Sequence, residues 1–243
     1  MLSHEVTGTG APLLLLHAGV ADRRMWDGVR EPLSDTHTVV TPDLRGFGQS
    51  PLGSDPYSHV ADVLAVLDHL GIGRASVVGA SFGGLVAMQF ATAHPDRVDR
   101  LVLAAPPLPG WDWSESMRTF WAEEDAGLER GDVDAAVETN VRMWAGADPT
   151  VQSAVRAMQW RAFELQLGST AEERDEALEP AGITAPTLIV VGSRDLPDFV
   201  AIADRLVRTM PQANRATIED AGHLVAIERP AEFTALVTGF LQP

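Results

Sequence analysis

Along the chain, short apolar runs alternate with longer stretches in which apolar residues recur every three or four positions. Residues 12–16, 38–41, 75–79, 98–104, 186–191 and 215–218 are the short runs. Several are apolar at consecutive positions, as in Leu13-Leu14-Leu15-Leu16, which is the pattern of strands covered on both faces of a parallel sheet. Residues 60–70, 82–93, 199–210 and 231–241 carry the helical spacing. Strands and helices in alternation predict an α/β fold with a doubly wound, mostly parallel sheet.

One stretch breaks this rhythm. The run that ends at Ala104 is followed by Ala105-Pro106-Pro107-Leu108-Pro109-Gly110, and the next strand pattern begins only near Pro186. The roughly 75 residues between them are helical in pattern, and a structureless loop of that length inside a compact domain is improbable. They are expected to form an inserted helical cap over residues 106–180, with residues 1–105 and 181–243 forming the core. The cap holds Trp111, Trp113, Trp121, Trp144 and Trp160, out of 6 tryptophans in the chain.

Composition narrows the function classes. The net charge of −16 over 243 residues repels phosphate backbones and anionic lipid, so neither nucleic acid nor a membrane surface is an expected partner. With no cysteine, disulfides, thiolate metal sites and a cysteine nucleophile are excluded. Met1-Leu2-Ser3-His4-Glu5 lacks the basic-then-apolar pattern of a leader, and a cytoplasmic location is expected.

The most informative segment is Gly79-Ala80-Ser81-Phe82-Gly83, set between a strand pattern and a helix pattern. A serine at such a turn projects from the end of the sheet, and the glycines keep neighbouring side chains away. The helix that follows directs its positive end at a developing oxyanion. Ser81 is therefore the candidate nucleophile. The backbone N–H of Phe82 is one expected oxyanion donor. The other is that of Gly19, or of Val20 with the loop shifted by one, in the turn His17-Ala18-Gly19-Val20 after the first strand run. His17 itself reads as structural.

A serine hydroxyl is a weak nucleophile until a base removes its proton. Asp195 ends the turn after the run 186–191, and His223 follows the last strand run, giving the chain order serine, aspartate, histidine. His223 is the candidate base and Asp195 the acid that orients it, with Asp198 competing for a turn or helix-cap role. The histidines at 4, 37, 59, 69 and 94 show no metal-ligand spacing, and no phosphate-binding glycine loop is present. Val20, Trp26, Trp111, Trp113, Trp144 and Trp160 are the candidate pocket residues, with Trp144 first among the tryptophans.

These segments occur together in one known arrangement. His17-Ala18-Gly19, the run Asp43-Leu44-Arg45-Gly46-Phe47-Gly48-Gln49-Ser50, Gly79-Ala80-Ser81-Phe82-Gly83, Gly192-Ser193-Arg194-Asp195 and Ala221-Gly222-His223 give the chain a resemblance to the α/β-hydrolase superfamily over essentially its whole length. Within it, His17-Ala18-Gly19 with Arg24-Met25-Trp26 looks most like the 3-oxoadipate enol-lactonases and related small esterases. Serine rather than aspartate at position 81 separates the chain from haloalkane dehalogenases and epoxide hydrolases. It also lacks the Gly-Pro-Gly-containing loop of the meta-cleavage carbon–carbon hydrolases.

The resemblance implies cleavage of a small ester or lactone through an acyl-serine, with no cofactor. Two alternatives stay open at this point: a cofactor-free perhydrolase with the same triad, and a non-catalytic ligand receptor on the same fold.

Overall fold

The computed structural model describes residues 1–242. Among them, seven strands form one sheet: β1 (His4–Thr7), β2 (Ala11–Leu16), β3 (His37–Pro42), β4 (Ala75–Ala80), β5 (Val98–Ala104), β6 (Thr187–Gly192) and β7 (Ala213–Ile218). Their order is β1-β3-β2-β4-β5-β6-β7. β1 runs antiparallel to β3, and every other neighbouring pair is parallel. Parallel neighbours need crossovers. The core helices that supply or flank them are α1 (Asp27–Ser34), α2 (His59–His69), α3 (Phe82–Ala93), α7 (Pro197–Thr209), α8 (Val225–Glu228) and α9 (Pro230–Leu241).

The consecutive apolar runs follow from burial on both faces. In β2, Leu13 and Leu15 enter one apolar layer, while Leu14 and Leu16 enter the other. The central strands repeat this division. Val78, Val102 and Val190 join the first layer, and Val77, Leu101 and Ile189 the second. Val29, Leu33, Phe233 and Val237 of α1 and α9 close the first layer. Val63, Phe90 and Ile202 of α2, α3 and α7 close the second.

The topology places the site. From β2 the chain moves outward to β3, then crosses back to β4 on the other side of β2. Open α/β sheets bind ligands outside the carboxyl ends of the strands at such a reversal. Here the loop after β2 and the turn after β4 meet at that point.

Between β5 and β6 lie α4 (Glu115–Glu129), α5 (Val133–Trp144) and α6 (Pro149–Gln166), packed in sequence against one another. Each starts on a capping side chain. Ser114 accepts from the Met117 N–H, Asp132 from Ala135 and Asp148 from Thr150. The helical part of the insertion ends at Gln166. The chain beyond it returns along the core, where the Arg174 N–H donates to the Tyr57 carbonyl at 2.8 Å and Ser169 Oγ to the Gly53 carbonyl at 2.9 Å. No helix among the described residues is long and apolar enough to cross a membrane.

β1 and α1 are among the elements that escape the sequence pattern. β1 has a single large apolar residue, Val6, and its register is set by pairing with β3. α1 contains Pro32 and buries only Val29 and Leu33.

Candidate active site

Ser81 stands between β4 and α3 with φ 47° and ψ −115°. A non-glycine residue held there costs about 1–3 kcal/mol, so its surroundings must impose the conformation. A Cβ on Gly79 would lie 2.3 Å from the Gly83 carbonyl oxygen, and one on Gly83 would lie 2.3 Å from that of Leu16. Any side chain at either position would push α3 off the sheet. The other described non-glycine residues with positive φ are Ala105 (46°) and Asp220 (56°), just beyond β5 and β7. Backbone strain thus collects along the carboxyl edge of the sheet.

His223 Nε2 lies 2.9 Å from Ser81 Oγ, while its Nδ1 lies 3.0 and 3.2 Å from the two carboxylate oxygens of Asp195. A carboxylate only accepts, so Nδ1–H donates to Asp195 and the lone pair on Nε2 faces the serine hydroxyl. Asp195 is held by the Leu196 N–H at 2.8 Å. The loop carrying His223 is pinned by Glu228, whose carboxylate accepts from the Gly222 N–H at 2.9 Å and the Leu224 N–H at 3.2 Å. The imidazole is buried and tilted against Trp144 and Phe199, with ring centroids 4.6 and 4.2 Å away.

Asp198 has a different task. Its Oδ1 accepts from the Trp111 indole at 3.2 Å and the Ser114 N–H at 3.0 Å, tying the start of α4 to α7. Burial raises its pKa, but the hydrogen bonds from Ser114 and Trp111 outweigh that and hold it below the usual carboxylate range.

His17 is fully buried, and that burial lowers its pKa. Its Nε2 accepts the Leu44 N–H at 2.9 Å, so Nδ1 carries the proton and donates to the Ala18 carbonyl at 2.9 Å. The neutral ring joins the loop after β2 to the loop after β3, which supports the placement of Gly19.

A cavity of about 240 Å³ opens on Ser81 and His223. Gly19, Val20 and Phe82 line its sheet side, and Phe120, Glu124, Asn140, Trp144, Gln159, Phe163 and Gln166 come from the three inserted helices. Of the expected pocket residues, Val20 and Trp144 line this cavity and the other four do not. Trp26 is fully buried against Phe233, 6.2 Å between ring centroids, because α1 and α9 close over it. Trp111 is spent on Asp198. Trp113 packs on Trp121 and Phe199. Trp160 is 44% exposed and donates to Asp134. No group of three or more His, Asp or Glu among the described residues is arranged to hold a metal ion.

Sequence reasoning missed Phe199, Glu228 and the polar lining of the cavity. A signal was present for the last. Asn140 interrupts the stripe Val137, Val141 and Trp144, and Gln159 interrupts Val155, Met158 and Ala162, each on a face otherwise apolar.

A family model described as alpha/beta hydrolase fold matches residues 11–148. The chain belongs to the α/β-hydrolase fold family. As such a hydrolase it is similar to the 2-hydroxymuconate semialdehyde hydrolase of Pseudomonas sp. (strain CF600), with 29% identity over 97% of this chain and 88% of that one. Among solved structures it is similar to a thermophilic esterase from Thermogutta terrifontis, with 30% identity, 99% and 92% coverage and a TM-score of 0.81. It is also similar to the enol-lactonase from Burkholderia xenovorans LB400, with 28% identity, 99% and 96% coverage and a TM-score of 0.79.

Proposed function

We propose that this hydrolase cleaves small carboxylic esters or lactones through an acyl-serine intermediate. The observation that carries this reading is the unbroken hydrogen-bonded line from Ser81 through His223 to Asp195, set on a strained turn at the sheet's reversal point. Ser81 Oγ attacks the carbonyl carbon as His223 Nε2 takes its proton. The carbonyl oxygen becomes an oxyanion, met by the N–H groups of Phe82 and of Gly19 or Val20. His223 returns the proton to the leaving alcohol, or to the ring oxygen of a lactone, and the acyl-serine forms. Water then attacks by the reverse sequence, with His223 again the base. Asp195 holds the productive tautomer and stabilises the imidazolium.

In this reading, residues 106–180 act as the cap, and α4–α6 shape the acyl pocket. The hollow that opens on Ser81 is small, which suits short acyl groups. The similarity to an esterase and to an enol-lactonase supports the ester or lactone bond as the target.

The test is labelling by a fluorophosphonate together with turnover of p-nitrophenyl esters of graded length and of simple lactones. Labelling that is lost in Ser81→Ala, with acetate to butyrate preferred over palmitate, is expected. Undiminished labelling or turnover in Ser81→Ala overturns the nucleophile. A preference for palmitate overturns the pocket.

A further inference from the structure

Glu124 on α4, Asn140 on α5 and Gln159 on α6 come from three different helices and all line the cavity. The remaining walls on the cap side are largely aromatic: Phe120, Trp144 and Phe163. Asn140 and Gln159 are 2% and 4% exposed. Asn140 spends an amide N–H within its own helix, on the Ala136 carbonyl at 3.0 Å. Gln159 Oε1 is buried and has no hydrogen-bond partner. A buried acceptor left unpaired is unfavourable, and such groups in a native fold call for an explanation. Burial raises the pKa of Glu124, with a hydrogen bond from Asn140 opposing and the nearby Asp125 adding to the rise. The lining contains neither lysine nor arginine. Packing alone does not require a carboxyl and two carboxamides here, since an apolar side chain at each position would fill the same space.

We propose that Glu124, Asn140 and Gln159 form a subsite for a hydrogen-bond donor on the substrate, a hydroxyl or an ammonium group, and that the cavity turns away esters and lactones bearing a free carboxylate. The inference rests on the reading of Ser81 as an esterase nucleophile. The unpaired Gln159 Oε1 and the Glu124 carboxyl group meet a donor directly, whereas a substrate carboxylate would face the Glu124 carboxyl group with no lysine or arginine in this lining to offset it. An adipate-derived lactone keeps a free carboxylate after ring closure, so the subsite separates this chain from lactonases of that substrate class. A site built from buried polar groups discriminates strongly against analogues that leave those groups unpaired.

The experiment compares methyl esters by proton release: methyl butyrate and hexanoate, their 3-hydroxy and 6-hydroxy analogues, the matching amino esters, and the half-esters of succinic and adipic acids. At one chain length or the other, kcat/KM is expected to be at least about tenfold higher for a hydroxy or amino ester than for the plain ester, and at least about tenfold lower for the half-ester. A hydroxy preference identifies a neutral donor and an amino preference a cationic one; both support the subsite. Glu124→Gln should raise the ratio of half-ester to plain ester. Gln159→Leu should lower the ratio of the preferred donor ester to the plain ester. Both are read as ratios within one variant, so a general loss of activity does not obscure them. Equal kcat/KM across the wild-type panel, with fluorophosphonate labelling intact, overturns the subsite and leaves the esterase reading standing. No labelling and no turnover of any ester overturns both.

Discussion

The carboxyl edge of the sheet and the three helices above it hold their polar groups by different means. On the sheet side, backbone conformation and backbone N–H groups take part in every hold. Ser81 is fixed by its strained turn, Asp195 by the Leu196 N–H, and His223 by a loop whose flanking N–H groups are bound to Glu228. On the helix side, Glu124, Asn140 and Gln159 project from regular helices, and one acceptor has no partner in the protein. On the proposed mechanism, the first arrangement tolerates little change, because acyl transfer depends on close placement of the reacting atoms. The second can be rewritten one side chain at a time, changing what fits without moving the reacting groups. Asp195 and Asp198 show the same division three residues apart, one facing His223 and the other anchoring α4.

The largest test of this contrast is on the sheet side. Ser81→Ala should lower kcat by at least about a thousandfold with an unchanged circular dichroism spectrum. Asp195→Asn should cost about 10²- to 10⁴-fold in kcat, because an asparagine amide favours the wrong imidazole tautomer. Asp198→Asn should leave kcat within a few fold and instead lower Tm, since it weakens the tie to Trp111 and Ser114. Reversed roles for the two aspartates in those assays would break the comparison.

Trp144 is where the two regions touch, because it lines the cavity and packs on His223. Trp144→Phe keeps an aromatic face but shortens it. Steady-state kinetics should show a change of up to about tenfold, and more in KM for bulky acyl groups than in kcat for acetate. Equal effects on every substrate would make Trp144 part of the rigid half.

A smaller effect concerns His59, which is buried with its ring against those of Tyr57 and Phe82. Desolvation lowers its pKa to about 4 from the ordinary 6.5. The unfolded chain therefore binds this proton more readily than the folded one. Stability from the neutral ring is complete above the unfolded value and is lost as pH falls from 6.5 toward 4, by up to about 3 kcal/mol. Denaturant unfolding at pH 7 and pH 4.5 should give a smaller difference for His59→Gln than for the wild-type chain. Equal differences would show that the ring does not titrate on unfolding. Smallest of all, Ala105→Gly should stabilise by less than about 1 kcal/mol by relieving a positive φ, an effect offset in part by the freedom glycine gains in the unfolded chain.

Much of this was legible in the chain. Parallel strands buried on two faces must be apolar at successive positions, so Leu13–Leu16 and the runs like it announced the sheet. Each candidate triad residue sits within a few residues of a strand end, where short-range turn chemistry writes a signature. β1 and α1 had no such signature, because a one-apolar strand and a helix containing Pro32 depend on their neighbours for stability.

The sequence by itself determined the strand and helix alternation, the order of serine, aspartate and histidine, and the presence of helices between β5 and β6. These are local, since each rests on residue spacing or on one turn. Only the tertiary structure decided which tryptophan faces the cavity, why Asp195 rather than Asp198 meets His223, and that three polar residues from separate helices line one cavity. Helical periodicity reports which face of a helix is buried, but not what that face is buried against. Trp26 and Trp144 look alike in sequence, and their separate places, one in the core and one beside His223, come from how α1, α5 and α9 pack.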